Sequence, residues 1–213
     1  MGCLGLLLPI IITLPLVLAL VFFNVITISF GKLGLSPEAA IAILIATLIG
    51  SMINIPLTRR RVECEEPQPA YAPYLFYMPP KVKEQVVAIN LGGAIIPAGV
   101  AIYLFTQAPI GPTLITLAAV TLVAKLLARL VPGVGITLPG WIPPIISAGL
   151  AFLLARDNPA PVAFIAGTLG TLIGADLLNW PNFRKLGSQV ISIGGAGVFD
   201  GVFLSGIIAA LLT

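Results

Sequence analysis

Apolar residues along this chain neither alternate with polar ones nor keep to one helical face; they occupy every face for about 20 residues at a time. Strands of an outer-membrane barrel would show a period of two, so the pattern predicts membrane-spanning helices. The predicted spans cover 4–30, 36–56, 86–106 and 112–131, then a short helix over 145–155, then two C-terminal spans, one from 161 and one from 188 to the end. The fold class read from this is all-α, a polytopic transmembrane helical bundle of about seven spans forming one integral membrane domain over 1–213. The first span has no basic start and no small-x-small cleavage site, so it reads as a span and not a signal peptide. Ser36-Pro37-Glu38 sets a capping hydroxyl, a first-turn proline and an acid in the order that a helix N-terminus favours.

Two stretches break the pattern. Residues 58–85 hold three arginines, several acids and five prolines with Tyr71, Tyr74, Phe76 and Tyr77. This reads as a Pro-rich extramembrane loop anchored by aromatics at the headgroups. Residues 131–144, which include PGVGITLPGW, hold too many helix breakers for a helix and too few charges for a wet loop. A broken or re-entrant stretch is expected there, either lining a pocket or lying in the headgroup zone on Trp141. Asp157 reads as a helix cap.

Composition agrees with the periodicity: 58% of residues are hydrophobic, 9% are charged and the mean hydropathy is +1.10. Soluble domains carry about 25% charged residues. The net charge of +3 therefore carries no implication of nucleic-acid binding, because the basic residues gather at span ends. Placing the loop after the second span in the cytoplasm puts Arg59, Arg60, Arg61, Lys81, Lys83, Lys125, Arg129, Arg184 and Lys185 on that side and leaves Lys32 and Arg156 outside. The expected location is the cell (plasma) membrane, with the N-terminus cytoplasmic and the C-terminus outside. Two cysteines without CxxC spacing and no histidine give no metal site and no disulfide framework; no cofactor is expected.

The chemistry concentrates in two acids. Asp176 and Asp200 sit singly in the last two spans, and an acid in hydrocarbon costs roughly 2.5–3.5 kcal/mol on insertion scales. Each is therefore a candidate site residue. A seventh span helical from Ser188 would place Asp200 about 18 Å deep and Asp176 only about 6–8 Å from its own end. The mismatch shrinks if 192–197 is partly unwound, for which Gly194, Gly195 and Gly197 are suited, or if the connecting loop with Pro181 dips inward. Gly167, Gly170 and Gly174 suit close helix packing. Lys125 and Arg129 read as side chains reaching the interface.

The strings GTLIGADLLNW and SIGGAGVFDGVFLSGIIAALL, with NLGGAIIP and PGVGITLPGW, resemble an uncharacterised prokaryotic family of multi-pass membrane proteins, a domain of unknown function, over most of the chain. The two acids are also similar, more loosely, to the catalytic pair of presenilin and signal-peptide-peptidase intramembrane aspartyl proteases, which lie on the sixth and seventh spans. Ala175 stands where those proteases carry a tyrosine, Phe199 replaces the second glycine of their Gly-x-Gly-Asp, and no Pro-Ala-Leu follows Asp200. That likeness implies a pair sharing one proton, one carboxyl acting as base toward water and the other as acid toward a peptide carbonyl. Asp176 and Asp200 would be catalytic. Gly194, Gly195, Gly197 and Gly201 would admit an extended transmembrane peptide substrate, and Asn179 would hold a carboxylate. Two other readings stay open: a proton- or cation-coupled transporter built on the repeated Gly-Gly-Ala breaks at 92–94 and 194–196, and a non-catalytic membrane scaffold.

Overall fold

Ser36 begins the second helix as its sequence predicts, its hydroxyl accepting from the Ala39 N–H at 3.2 Å with Pro37 in the first turn. The computed structural model describes residues 4–64, 81–131, 135–186, 190–195 and 201–213. Within these, the α-helices are α1 (Leu4–Lys32), α2 (Pro37–Gly50), α3 (Ile96–Leu104), α4 (Ile110–Leu127), α5 (Ile142–Leu154), α6 (Pro159–Thr171) and α7 (Gly201–Leu212). Three helical stretches are long and apolar enough to cross a membrane: Thr13–Lys32, Ile110–Leu127 and Pro159–Phe183. The others are shorter.

Burial separates the three. The stretch containing α6 is 72% buried, whereas those of α1 and α4 are 17% and 22% buried, so α6 is the central post and the other two present apolar side chains outward. Leu16, Leu18 and Leu20 of α1 and Ile115, Leu122 and Leu126 of α4 are exposed. Such apolar surface suits a lipid environment. Close approach to α6 depends on small residues: a Cβ at Gly170 would fall 2.8 Å from the Val120 side chain of α4, and one at Gly167 would fall 3.1 Å from the Ser205 carbonyl of α7. The glycine packing read from the sequence is present. Phe30, Phe164 and Phe203 meet with ring centroids 6.3 Å apart and join α1, α6 and α7 in the larger core.

The all-α expectation is corrected by strands. β1 (Asn54–Cys64) pairs antiparallel with β2 (Lys81–Asn90), and β2 pairs in parallel with β5 (Val190–Ile193), giving the order β1-β2-β5. The expected 58–85 loop is thus strand at both ends, and its 65–80 portion lies outside the described residues. The expected span at 86–106 opens as strand and turns helical only after Asn90. β3 (Arg129–Val131), at the end of the expected span 112–131, pairs antiparallel with β4 (Gly135–Thr137) in the predicted broken stretch, and α5 then starts on Pro143 and Pro144. Asp157 does not cap α6; Asn158 holds that position and donates its side chain to the Gln107 carbonyl at 3.1 Å.

Hydrogen bonds between distant elements define two ends. At one end Lys32 donates to the Leu211 carbonyl at 2.7 Å, which brings the C-termini of α1 and α7 together. At the other, Lys125 near the end of α4 reaches the segment after α6, and Asn90 reaches the Ser51 carbonyl after α2. The sheet and a second apolar core, including Val87, Leu172, Phe183, Ile191, Ile193 and Val202, lie at this second end.

Candidate functional site

Two strands run side by side into glycine turns. After β2, a π-helical turn (Leu91–Ile95) leads into α3, and Asn90 caps it by accepting from the Gly93 N–H at 2.7 Å. After β5 come Gly194 and Gly195 with φ of +81° and +86°, left-handed values that glycine adopts without penalty. Because Ile89 stands opposite Ile193 in the parallel register, the two turns meet. A Cβ on Gly194 would lie 2.5 Å from the Ala94 Cβ and 2.8 Å from its N. Asn54 ties the same strand ends together: its Oδ1 accepts from Ser192 Oγ at 2.6 Å and from Asn90 Nδ2 at 3.1 Å.

Asp176 reaches this junction from α6. That helix widens into a π-helical turn (Leu172–Asp176) and then tightens into a 3-10 segment (Leu177–Leu186), so Asp176 stands where the hydrogen-bond register changes. Such π-turns occur often at functional sites. The turn is pressed against α4, since a Cβ on Gly174 would collide with the Thr121 carbonyl oxygen. From here Asp176 Oδ2 accepts from the Gly194 N–H at 2.8 Å, joining the acid to the turn that follows β5.

A cavity of about 360 Å³ opens beside this contact. Its walls are Thr171, Ala175 and Asp176 from the α6 side, Val190 to Ser192 of β5 with Gly195, Val202 of α7, and Gly135 to Leu138 with Gly140 and Pro143. The described part of 131–144 thus lines a pocket, while Trp141 is exposed. The wall is largely apolar, with Asp176 the acid among its lining residues.

The other predicted site residues fall unevenly around the cavity. Asp200 and Gly197 lie outside the described residues, and Gly201 opens α7. Gly195 lines the cavity, while the face of Gly194 where a side chain would stand is packed on Ala94. Asn179 is buried, and among the described residues its Nδ2 donates to the Ala175 carbonyl at 2.7 Å and its Oδ1 accepts from Lys125 Nζ at 2.6 Å. Lys125 also donates to the Leu178 carbonyl at 2.7 Å, so its ammonium is tied to the segment after α6. The polar knot of Asn54, Asn90 and Ser192 carried no sequence signal, because it depends on strand pairing between residues about a hundred positions apart. Among the described residues no group of three or more His, Cys, Asp or Glu side chains could hold a metal ion.

The fold and this site define an apolar helical protein whose central helix delivers one acid to a junction of paired strand-to-helix turns. The family described as "Protein of unknown function (DUF1614)" matches residues 48–212, from the end of α2 through α7, and the chain belongs to it. No curated protein and no solved structure matches the chain.

Proposed function

We propose that this protein is an integral membrane aspartyl protease, with Asp176 and Asp200 as a proton-sharing pair. One observation carries the reading: Gly195 and Val202, which flank the segment containing Asp200, both line the cavity in which Asp176 stands. In support, a strand and a glycine turn at 190–195 stand in place of the continuous helix from Ser188 on which the depth mismatch rests. β5 is an edge strand among the described residues, and three of its residues line the same cavity. An extended segment of a transmembrane peptide can add along such an edge through main-chain hydrogen bonds.

In this mechanism one carboxylate removes a proton from a water molecule as its oxygen bonds to the peptide carbonyl carbon. The other carboxyl gives its proton to the carbonyl oxygen, forming a gem-diol. Collapse of the gem-diol breaks the C–N bond: one gem-diol hydroxyl returns its proton to the carboxylate that had given it, and the proton taken from water passes to the departing amine. Asp176 is held for this by the Gly194 N–H. The positive-inside rule assigns the sheet end to the cytoplasm, with the chain in the plasma membrane.

The paired strand, Gly-Gly and helix units favour a second reading, in which Asp176 serves a proton- or cation-coupled transporter with broken helices at its site. Full-length protein in liposomes, offered a labelled membrane-spanning peptide and separately a proton or cation gradient, decides between them. Cleavage abolished in both Asp176→Ala and Asp200→Ala is the expected result. Flux without cleavage overturns the protease reading, and unchanged behaviour in the double variant leaves a scaffold.

A further inference from the structure

We infer that Lys125 is a positioning residue for Asp176, acting across the α4–α6 interface; this rests on the protease reading of the site. Passing from a π-turn to a 3-10 segment changes which N–H each carbonyl meets, and carbonyls at such a junction need outside donors. Two side chains supply them. Asn179 Nδ2 donates to the carbonyl of Ala175, the residue before Asp176, and Lys125 Nζ donates to the Leu178 carbonyl and to Asn179 Oδ1.

The amide of Asn179 has one orientation that satisfies both neighbours, and the Lys125 ammonium selects it, because an ammonium donates and never accepts. On the other side of Asp176, Gly174 is packed against the Thr121 carbonyl and lies close to the Lys125 backbone nitrogen. One stretch of α4 therefore holds the acid-bearing turn from both flanks, by contact at Gly174 and by hydrogen bonds at Leu178 and Asn179. Among the described residues Lys125 pairs with no carboxylate; one of its two bonds goes to the Leu178 carbonyl and the other to the Asn179 amide that holds the Ala175 carbonyl. Asp176 meets the Gly194 N–H from a turn fixed in this way.

The test compares Lys125→Met, Lys125→Arg and Asn179→Asp in full-length protein held in lipid nanodiscs. Two readouts are taken: kcat and KM for the labelled membrane-spanning peptide, and the rate at which dicyclohexylcarbodiimide modifies Asp176, followed by mass spectrometry. Misplacing a reacting group by about 1 Å costs on the order of 100-fold in rate, so Lys125→Met is expected to lose about 10- to 100-fold in kcat with little change in KM. Its Asp176 is also expected to react faster with the carbodiimide, as the carboxyl leaves Gly194. Lys125→Arg keeps the donors and restores most of both properties. Asn179→Asp keeps the acceptor for Lys125 but loses the donor to Ala175, and falls between.

Labelling of Asp176 that is the same in wild type and Lys125→Met overturns the clamp, whatever the cleavage assay gives. So does a Lys125→Arg protein that stays folded yet matches Lys125→Met in both readouts. A wild type that cleaves nothing overturns the protease reading instead, while the labelling comparison still decides whether Lys125 places the acid.

Discussion

Replacing Gly194 by alanine tests whether the turn after β5 is wedged between Asp176 and the first glycine turn. The new methyl would sit 2.5 Å from the Ala94 Cβ, 2.8 Å from the Ala94 N and 2.9 Å from the Gly93 carbonyl carbon, and two of these three are backbone atoms that cannot swing aside. Overpacking of this kind costs about 1–3 kcal/mol, and holding an L-residue at a left-handed φ adds roughly 1–2 kcal/mol. The combined loss, roughly 2–5 kcal/mol, lowers the melting temperature by roughly 5–15 °C for a chain of this size. Gly149 of α5 is the internal control, since nothing lies within 4 Å of its built Cβ. Gly149→Ala should be neutral or gain up to about 1 kcal/mol from helix propensity. Both variants are measured by intrinsic tryptophan fluorescence during heating in lipid nanodiscs. A Gly194→Ala protein that melts with wild type refutes the contact between the two turns, and with it the reason for assigning Asp176 a fixed partner.

Exchanging Asp176 for asparagine or leucine separates its two roles. Asp176→Asn keeps an oxygen acceptor for the Gly194 N–H and should melt near wild type while losing peptide cleavage; Asp176→Leu should lose about 1–3 kcal/mol as well, because the N–H is left unpaired. Equal stability of the two would count against the hydrogen bond. Orientation is read from Cys64, which ends β1. With Cys3 replaced by serine, a membrane-impermeant maleimide should label Cys64 in inside-out vesicles and not in right-side-out ones, and the reverse pattern inverts the proposed topology.

Periodicity made the apolar helices and their interruptions legible, because both are local properties of the chain. The Ser36 cap needs only residues within one turn, and the glycine break needs only Gly194 and Gly195 in succession. The sheet was hidden for a physical reason. Residues 86–89 are apolar and Asn90 alone separates them from the helix that follows, so a hydropathy window of span length merges strand and helix. Nothing local in Val190–Ile193 announces a parallel partner at Val86–Ile89, since that pairing is decided by the tertiary fold. The partners of Lys125 were hidden in the same way: a lysine near the end of an apolar helix ordinarily extends to the interface, and only the tertiary fold brings the Leu178 carbonyl and the Asn179 amide of the 3-10 segment within its reach.

Helix length then bears on where the site lies. From the end marked by Lys32 and Leu211, α7 has 12 residues and rises about 18 Å. The hydrocarbon core is about 30 Å thick, so α7 placed upright in it ends, at Gly201, well before the opposite interface. Backbone that leaves helical geometry at such depth must find partners in protein or in a water-filled cavity. Three devices here supply them: the parallel ladder between β2 and β5, the Asn90 cap on Gly93, and Asp176 on the Gly194 N–H. The third is the costly choice, because a neutral acceptor such as the amide at Asn90 performs the same capping without an acid. An acid used where an amide suffices, on the wall of a cavity, is the feature that the proposed proton-moving chemistry would explain.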